Sequence, residues 1–148
     1  MQMEQNYENV FDTMMLYHFL IERDVFAVRE DLTKQQEIVL AGIAMFEPVG
    51  SGALADFLSL PPQNVSRNVI DLESQGLVTR TVDPENRRQV ILTISDRGRD
   101  FISSHRKNVN MRLDVSLGGL SEDERALLVD VSRVAKNLLR KALEASTR

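Results

Sequence analysis

LPPQNVSRNVIDLESQGLVTRTVDPENRRQVILTIS, residues 60–95, is the stretch on which the fold turns. Its first half keeps a helical period. Val65, Val69 and Leu72 recur at spacings of four and three, which places them on one side of a helix running from Pro62 to Gln75. Proline suits the first turn of such a helix, because the amide that it lacks has no partner there anyway. Gly76 is the expected left-handed stop. The period then drops to two. Leu77 to Val82 predicts a short strand, Asp83, Pro84, Glu85 and Asn86 a turn, and Gln89 to Ile94 a second strand with Val90, Leu92 and Ile94 on one face. A helix is thus followed at once by a two-stranded hairpin with a polar tip.

Upstream, Ser59 to Pro61 form a turn, and a short helix from Gly52 to Leu58 is expected with Ser51 as its cap, after a loop of Gly50, Ser51 and Gly52. Thr33 with Gln36 is a capping box that opens a helix from Lys34 to about Phe46, stopped before Pro48. Val10, Met14, Tyr17 and Ile21, widened by Phe11, Leu20 and Val28, predict a first amphipathic helix over residues 6–29. Downstream, Ser95 caps a helix bearing Phe101, Ile102, Val109 and Leu113, which breaks at Gly118 and Gly119. Ser121 with Glu124 opens a last helix, apolar at Leu127, Leu128, Val131, Val134, Ala135, Leu138 and Leu139. The order is α-α-α-α-β-β-α-α, mainly α. A short helix, a tight turn, a second helix and a hairpin make a winged helix-turn-helix.

At 148 residues the chain forms a single protomer with one core, 1–148, whose winged lobe is 33–95. The apolar stripes at both ends exceed what one small domain covers, and two-fold association would bury them, so 1–32 and 96–148 are read as dimerisation helices of a homodimer. No run approaches the ~20 apolar residues of a membrane span. The polar, acidic start is wrong for a secretory signal, so a cytoplasmic protein is expected. With no cysteine, disulfides, thiolate zinc sites and thiol redox sensing are excluded. His18 and Glu22 stand four apart, but two histidines in the whole chain do not make a dedicated metal site. No glycine-rich phosphate loop and no nucleophile set is present, so neither an enzyme nor a cofactor is expected.

The net charge of −4 argues against a globally basic nucleic-acid surface. Its distribution is uneven. Acids dominate the first 32 residues, whereas residues 61–106 hold seven arginines (67, 80, 87, 88, 97, 99, 106) against six acids (71, 73, 83, 85, 96, 100). On the Pro62–Gln75 helix, the side away from Val65, Val69 and Leu72 carries Gln63, Arg67, Ile70 and Ser74, with Asn64 and Ser66 at its margins. Glutamine and asparagine pair with adenine edges and arginine forks onto guanine, which makes Gln63, Asn64 and Arg67 base-edge candidates. Ser66 suits a phosphate oxygen. A merely solvated helix face would look the same. Arg87 and Arg88 at the hairpin tip shift the balance, because an arginine projecting there can enter a narrow minor groove.

Leu32-Thr33 with Gln36, Val65-Ser66-Arg67, Leu72-Glu73-Ser74-Gln75-Gly76-Leu77-Val78, Asp83-Pro84-Glu85-Asn86-Arg87-Arg88 and Ile94-Ser95-Asp96-Arg97-Gly98 together resemble the MarR (multiple antibiotic resistance regulator) family of transcriptional regulators. The resemblance implies a homodimer held by its first, fifth and sixth helices on a pseudo-palindromic double-stranded DNA operator, commonly a repressor released by a small aromatic or phenolic effector. Met14, Tyr17, His18 and Phe46 are the residues expected to line an effector pocket, with core packing as the plainer role for them. Arg88 matches the family's wing arginine, and Asn86 stands where the family has the aspartate that braces it, so a neutral hydrogen bond is expected in place of an ion pair. Pro61 replaces the usual Ser/Thr cap, and Ile70-Asp71 replaces an acid-base pair, leaving an acid near the DNA-facing surface. The alternative is a winged-helix module that binds protein instead of DNA, in keeping with the acidic balance.

Overall fold

The computed structural model describes residues 7–27 and 31–146. Within them the chain runs α1 (Glu8–Leu20), a π-helical turn (Ile21–Val25), α2 (Lys34–Phe46), β1 (Val49–Gly50), α3 (Ser51–Leu58), α4 (Pro62–Ser74), β2 (Val78–Val82), β3 (Val90–Ile94), α5 (Asp96–Ser116) and α6 (Glu122–Ser146). The mainly helical winged architecture is the one that the periodicities predict, with three corrections.

The hairpin is not two-stranded. Val49 and Gly50 pair with Leu92 and Ile91, so β3 is the middle of an antiparallel sheet ordered β1-β3-β2. Two residues are too few to show alternation, and the strand order gains a member between the second and third helices. Gly50 therefore belongs to the sheet and is the cap residue of α3, while Ser51 is already the first helical residue and makes no capping bond.

The first helix is shorter than 6–29. After Leu20 the chain winds one wider turn, in which the Phe26 N–H reaches the Ile21 carbonyl at 3.1 Å. Within that turn Asp24 is 3% exposed, whereas Ile21 at its start is 39% exposed, like the stripe residues Val10 and Met14 before it. Asn6 and residues 28–29 of that expectation, Val28 among them, lie outside the described residues.

The core is a meeting of α2, α3, α4 and β3. Val39, Ile43, Leu54, Val65, Leu72 and Leu92 are its fully buried members. The Thr33–Gln36 box closes in both directions. Gly76 takes φ +75°, where a side chain would be strained, and turns α4 into β2. Ser95 then ties the far end of the hairpin back: its hydroxyl accepts the Gly98 amide at 3.0 Å and donates to the Gly76 carbonyl. At Gly98 an added Cβ would sit 2.1 Å from the Leu77 carbonyl oxygen, so the start of α5 abuts the junction between α4 and β2 without room for any side chain.

Candidate nucleic-acid interface

Helix α4 presents one face inward. Val65, Val69 and Leu72 are buried, as the spacing requires. Asn68 is buried with them at 8% exposure, its amide donating to the Asn64 carbonyl at 2.8 Å and to Gln35 Oε1 at 3.3 Å. Sequence reasoning passed over it, although its place between Val65 and Leu72 on the inner stripe was a legible sign.

On the outer face Gln63, Ser66, Arg67, Ile70 and Ser74 are exposed. Asn64 differs. It is half-buried on the flank toward α2, and its carbonyl is taken by Asn68. Asp71, the acid expected near the outer surface, sits on that same flank, half-buried, with Gln36 Nε2 3.4 Å from its carboxylate. The opposite flank leans on the hairpin, where Arg80 Nη1 lies 3.4 Å from Glu73 Oε2. Pro61 caps the helix with no side-chain acceptor, and Pro62 follows at the first position.

The hairpin tip is a sequence of local hydrogen bonds. The Asp83 amide reaches the Gln89 carbonyl at 2.9 Å, Gln89 returns to the Asn86 carbonyl at 2.8 Å, and Asp83 Oδ1 accepts the Glu85 amide at 2.9 Å. Asn86 Oδ1 accepts the backbone N–H of Arg88 at 3.3 Å. The neutral bond expected from Asn86 thus goes to the Arg88 backbone, because an asparagine in this turn is within reach of the amide two residues on. Arg87 and Arg88 are exposed, and among the described residues neither they nor Arg67 are held by an ion pair of the kind that holds Arg80 or Arg99.

Glu47, at the end of α2, anchors the stem. One carboxylate oxygen accepts the Ile94 amide at 2.7 Å and the other lies 2.8 Å from Arg99 Nη1. A buried carboxylate, Asp24, fixes the π-helical turn to α5. Burial pushes its pKa up, but the hydrogen bond from Ser116 and the charges of Arg23 and Arg112 outweigh that and hold the carboxyl below its ordinary value. Arg112 also donates to the Arg23 carbonyl at 3.1 Å. Neither anchor was foreseen from the sequence.

The four residues expected around an effector stand in three different settings. Tyr17 helps line a groove of about 620 Å³ between α1 and α6 with Leu16, Phe19, Leu20, Arg23, Leu128 and Val131, and its hydroxyl is hydrogen-bonded to Ser132 at 2.6 Å. Met14 and His18 are exposed on α1, outside that lining. Phe46 stacks on Phe57 with ring centroids 4.2 Å apart and packs against the core. Among the described residues no three His, Asp or Glu side chains gather to hold a metal. Glu22 is instead ion-paired with Lys34. No helix of the described residues is long and apolar enough to cross a membrane.

Residues 30–89 match the model of the MarR family. Among curated proteins, the chain is 36% identical over 75 residues to the HTH-type transcriptional regulator YdgJ of Bacillus subtilis, a match covering 50% of this chain and 46% of that protein. A 52-residue stretch is 44% identical to riboflavin kinase of Thermoplasma volcanium, covering 35% of this chain and 22% of the kinase. The chain therefore spans less than half the length of the curated relatives it matches. Among solved structures it is similar to MarR, with 27% identity and TM-score 0.63, covering 92% of this chain and 99% of that one. It is also similar in fold to BpsR of Bordetella bronchiseptica, whose DNA binding is regulated by 6-hydroxynicotinic acid, with 21% identity, TM-score 0.58 and coverage of 84% and 98%.

Proposed function

We propose that the chain is a transcriptional regulator of the MarR type that binds double-stranded DNA as a homodimer, without catalytic activity of its own. The observation that carries the reading is the pairing of an outward α4 face, bearing Gln63 and Arg67, with an exposed Arg87-Arg88 tip on the hairpin beside it. Residues 33–95 form the DNA-binding lobe. Gln63, Asn64 and Arg67 meet base edges in the major groove, Ser66 a phosphate, and Arg87 and Arg88 the flanking minor groove. Asn64, half-buried, reaches the groove only at the margin of the helix.

Residues 1–32 and 96–148 supply the dimer contacts. In support, Val10, Phe11 and Phe19 on α1 and Leu127, Val131, Val134 and Leu138 on α6 leave large apolar side chains in water in the single protomer, a surface that a soluble chain covers by association. Two copies bring two α4 helices to a pseudo-palindromic operator with half-sites about one helical turn apart. The protein acts in the cytoplasm as a repressor released by a small aromatic or phenolic effector. The BpsR likeness supports an aromatic acid as the class of effector, and the α1–α6 groove containing Tyr17 is where the search for it starts.

Fluorescence anisotropy on the intergenic DNA beside its own gene tests the reading. A regulator binds with an affinity that falls by about 0.9 log units per log unit of salt for each phosphate neutralised, and an aromatic acid lowers that affinity. A winged-helix module for protein partners shows no binding above that to random duplex, and that result would reject the proposal.

A further inference from the structure

We propose that Ile70 reads the C5 methyl group of a thymine in the major groove, an inference that rests on the placement of α4 against DNA given above. Ile70 is 51% exposed near the middle of a helix whose other large apolar residues are buried. At ~100° per residue it lies about 160° from Leu72, the centre of the inner stripe, and within about 60° of Gln63, Arg67 and Ser74 on the outer face. Both flanks of that face are engaged elsewhere. Asp71 turns toward Gln36 of α2 at 3.4 Å and Glu73 toward Arg80 of β2 at 3.4 Å. Ser74 folds its hydroxyl back onto the Asp71 carbonyl at 2.7 Å. The centre of the outer face past Arg67 is left as a bare, branched hydrocarbon.

A solvated helix face does not call for such a residue: β-branching slightly lowers helix propensity, and isoleucine makes no hydrogen bond to water. A readout face does. The thymine methyl is the apolar mark on the major-groove edges of the base pairs, and it is recognised by apolar contact, not by a hydrogen bond. Amide and guanidinium groups at positions 63 and 67 read donors and acceptors. Ile70 supplies the missing kind of contact. Three residues separate it from Arg67, about 4.5 Å along the helix axis, against a base-pair step of about 3.4 Å. The thymine therefore lies one or two base pairs from the base that Arg67 contacts.

The experiment uses the full-length protein and the best duplex recovered by selection from a random pool, with each thymine replaced singly by deoxyuridine, which removes only the methyl. For the parent protein, one thymine per half-site is expected to lower affinity about fourfold on replacement, the effect of one buried methyl-sized group. That position falls within two base pairs of the one at which Arg67→Ala relaxes base preference. Ile70→Ser is expected to bind the thymine duplex about as weakly as the parent binds the uracil duplex, and to be indifferent to the replacement there. Matched circular dichroism and melting of Ile70→Ser and parent separate this from misfolding. Sequence-specific binding with no uracil-sensitive position, or an equal uracil penalty in Ile70→Ser and parent, overturns the Ile70 assignment alone. Failure of the parent to select any sequence overturns the α4 placement as well.

Discussion

The Glu47 carboxylate accepts the backbone N–H of Ile94 at 2.7 Å, filling the place in the sheet where β1 has run out. In the β1–β3 register Val49 faces Leu92, so the next inward-facing amide of β3 has no strand opposite it. The side chain supplies the acceptor, and its second oxygen holds Arg99 in the first turn of α5 at 2.8 Å. Ile94 is buried, so losing this acceptor strands an amide away from water. Glu47→Ala is expected to lower unfolding free energy by about 2 kcal/mol. Glu47→Gln keeps an acceptor and loses chiefly the ion pair to Arg99, which is 58% exposed, so its cost stays below about 1 kcal/mol. Urea titration of the three proteins at one concentration measures both. Equal losses would mean that the Ile94 bond contributes nothing.

Gly98→Ala tests the close approach of α5 to the junction between α4 and β2. Its Cβ would meet the Leu77 carbonyl at 2.1 Å, a backbone atom that cannot rotate aside. The helix start must move, at a cost of about 2 kcal/mol or more, or a fall in melting temperature of roughly 4–8 °C for a chain of this size. Because Ser95 shares this junction, Ser95→Ala is expected to cost less, about 1 kcal/mol for the lost cap. A Gly98→Ala variant that melts with the parent would show that the junction has slack.

Asp24→Asn changes the acid limb of the stability curve. Burial pushes the folded carboxyl upward, but Ser116, Arg23 and Arg112 together hold it below its ordinary value. A group depressed on folding stabilises at all pH values above the unfolded pKa of about 3.9, and the contribution is lost as pH falls through the folded value. The parent is therefore more stable than Asp24→Asn at about pH 5–7, and the two converge below about pH 4. Thermal melts across that range decide it. A constant offset down to the lowest pH would assign the difference to packing instead of charge.

How far the sequence carried this fold depended on how far each feature was local. Val65, Val69 and Leu72 on one stripe, Gly76 as a left-handed stop, and the Thr33, Ser95 and Ser121 caps are each decided within one or two helical turns, and each stands where the spacing placed it. The strand β1 is visible only through its partner Leu92, and the anchors of Glu47 and Asp24 only through Ile94, Arg99 and Ser116, all distant in the chain. The outer face of α4 was legible as the complement of the inner one. That Asp71 leaves it for Gln36, and that Asn64 is half withdrawn, depends on how α2 crosses, which no spacing within α4 reports.

Arg67→Ala and Arg88→Ala separate the two arms of the proposed interface. Both side chains are exposed, so neither change should lower stability measurably. Arg67→Ala is expected to cost about 1–3 kcal/mol on the best site and to relax preference at one base pair per half-site. Arg88→Ala should weaken binding to good and poor sites more evenly and reduce the steepness of the salt dependence. If both variants match the parent on all sequences, DNA does not meet this surface.

Leu138→Glu probes the shared helical base. Leu138 is 62% exposed on α6, so a charge there meets water in a lone protomer and costs little. In a dimer built on α6 the same charge is buried against its twin or against apolar neighbours, where an unpaired ion is expensive. Sedimentation velocity is expected to show the parent as a dimer and Leu138→Glu shifted toward monomer. Specific DNA binding should fall with it, because one α4 helix engages only half of a two-fold site. A variant that remains dimeric and binds unchanged would place the two-fold axis elsewhere on the molecule, and with it the spacing between the paired helices.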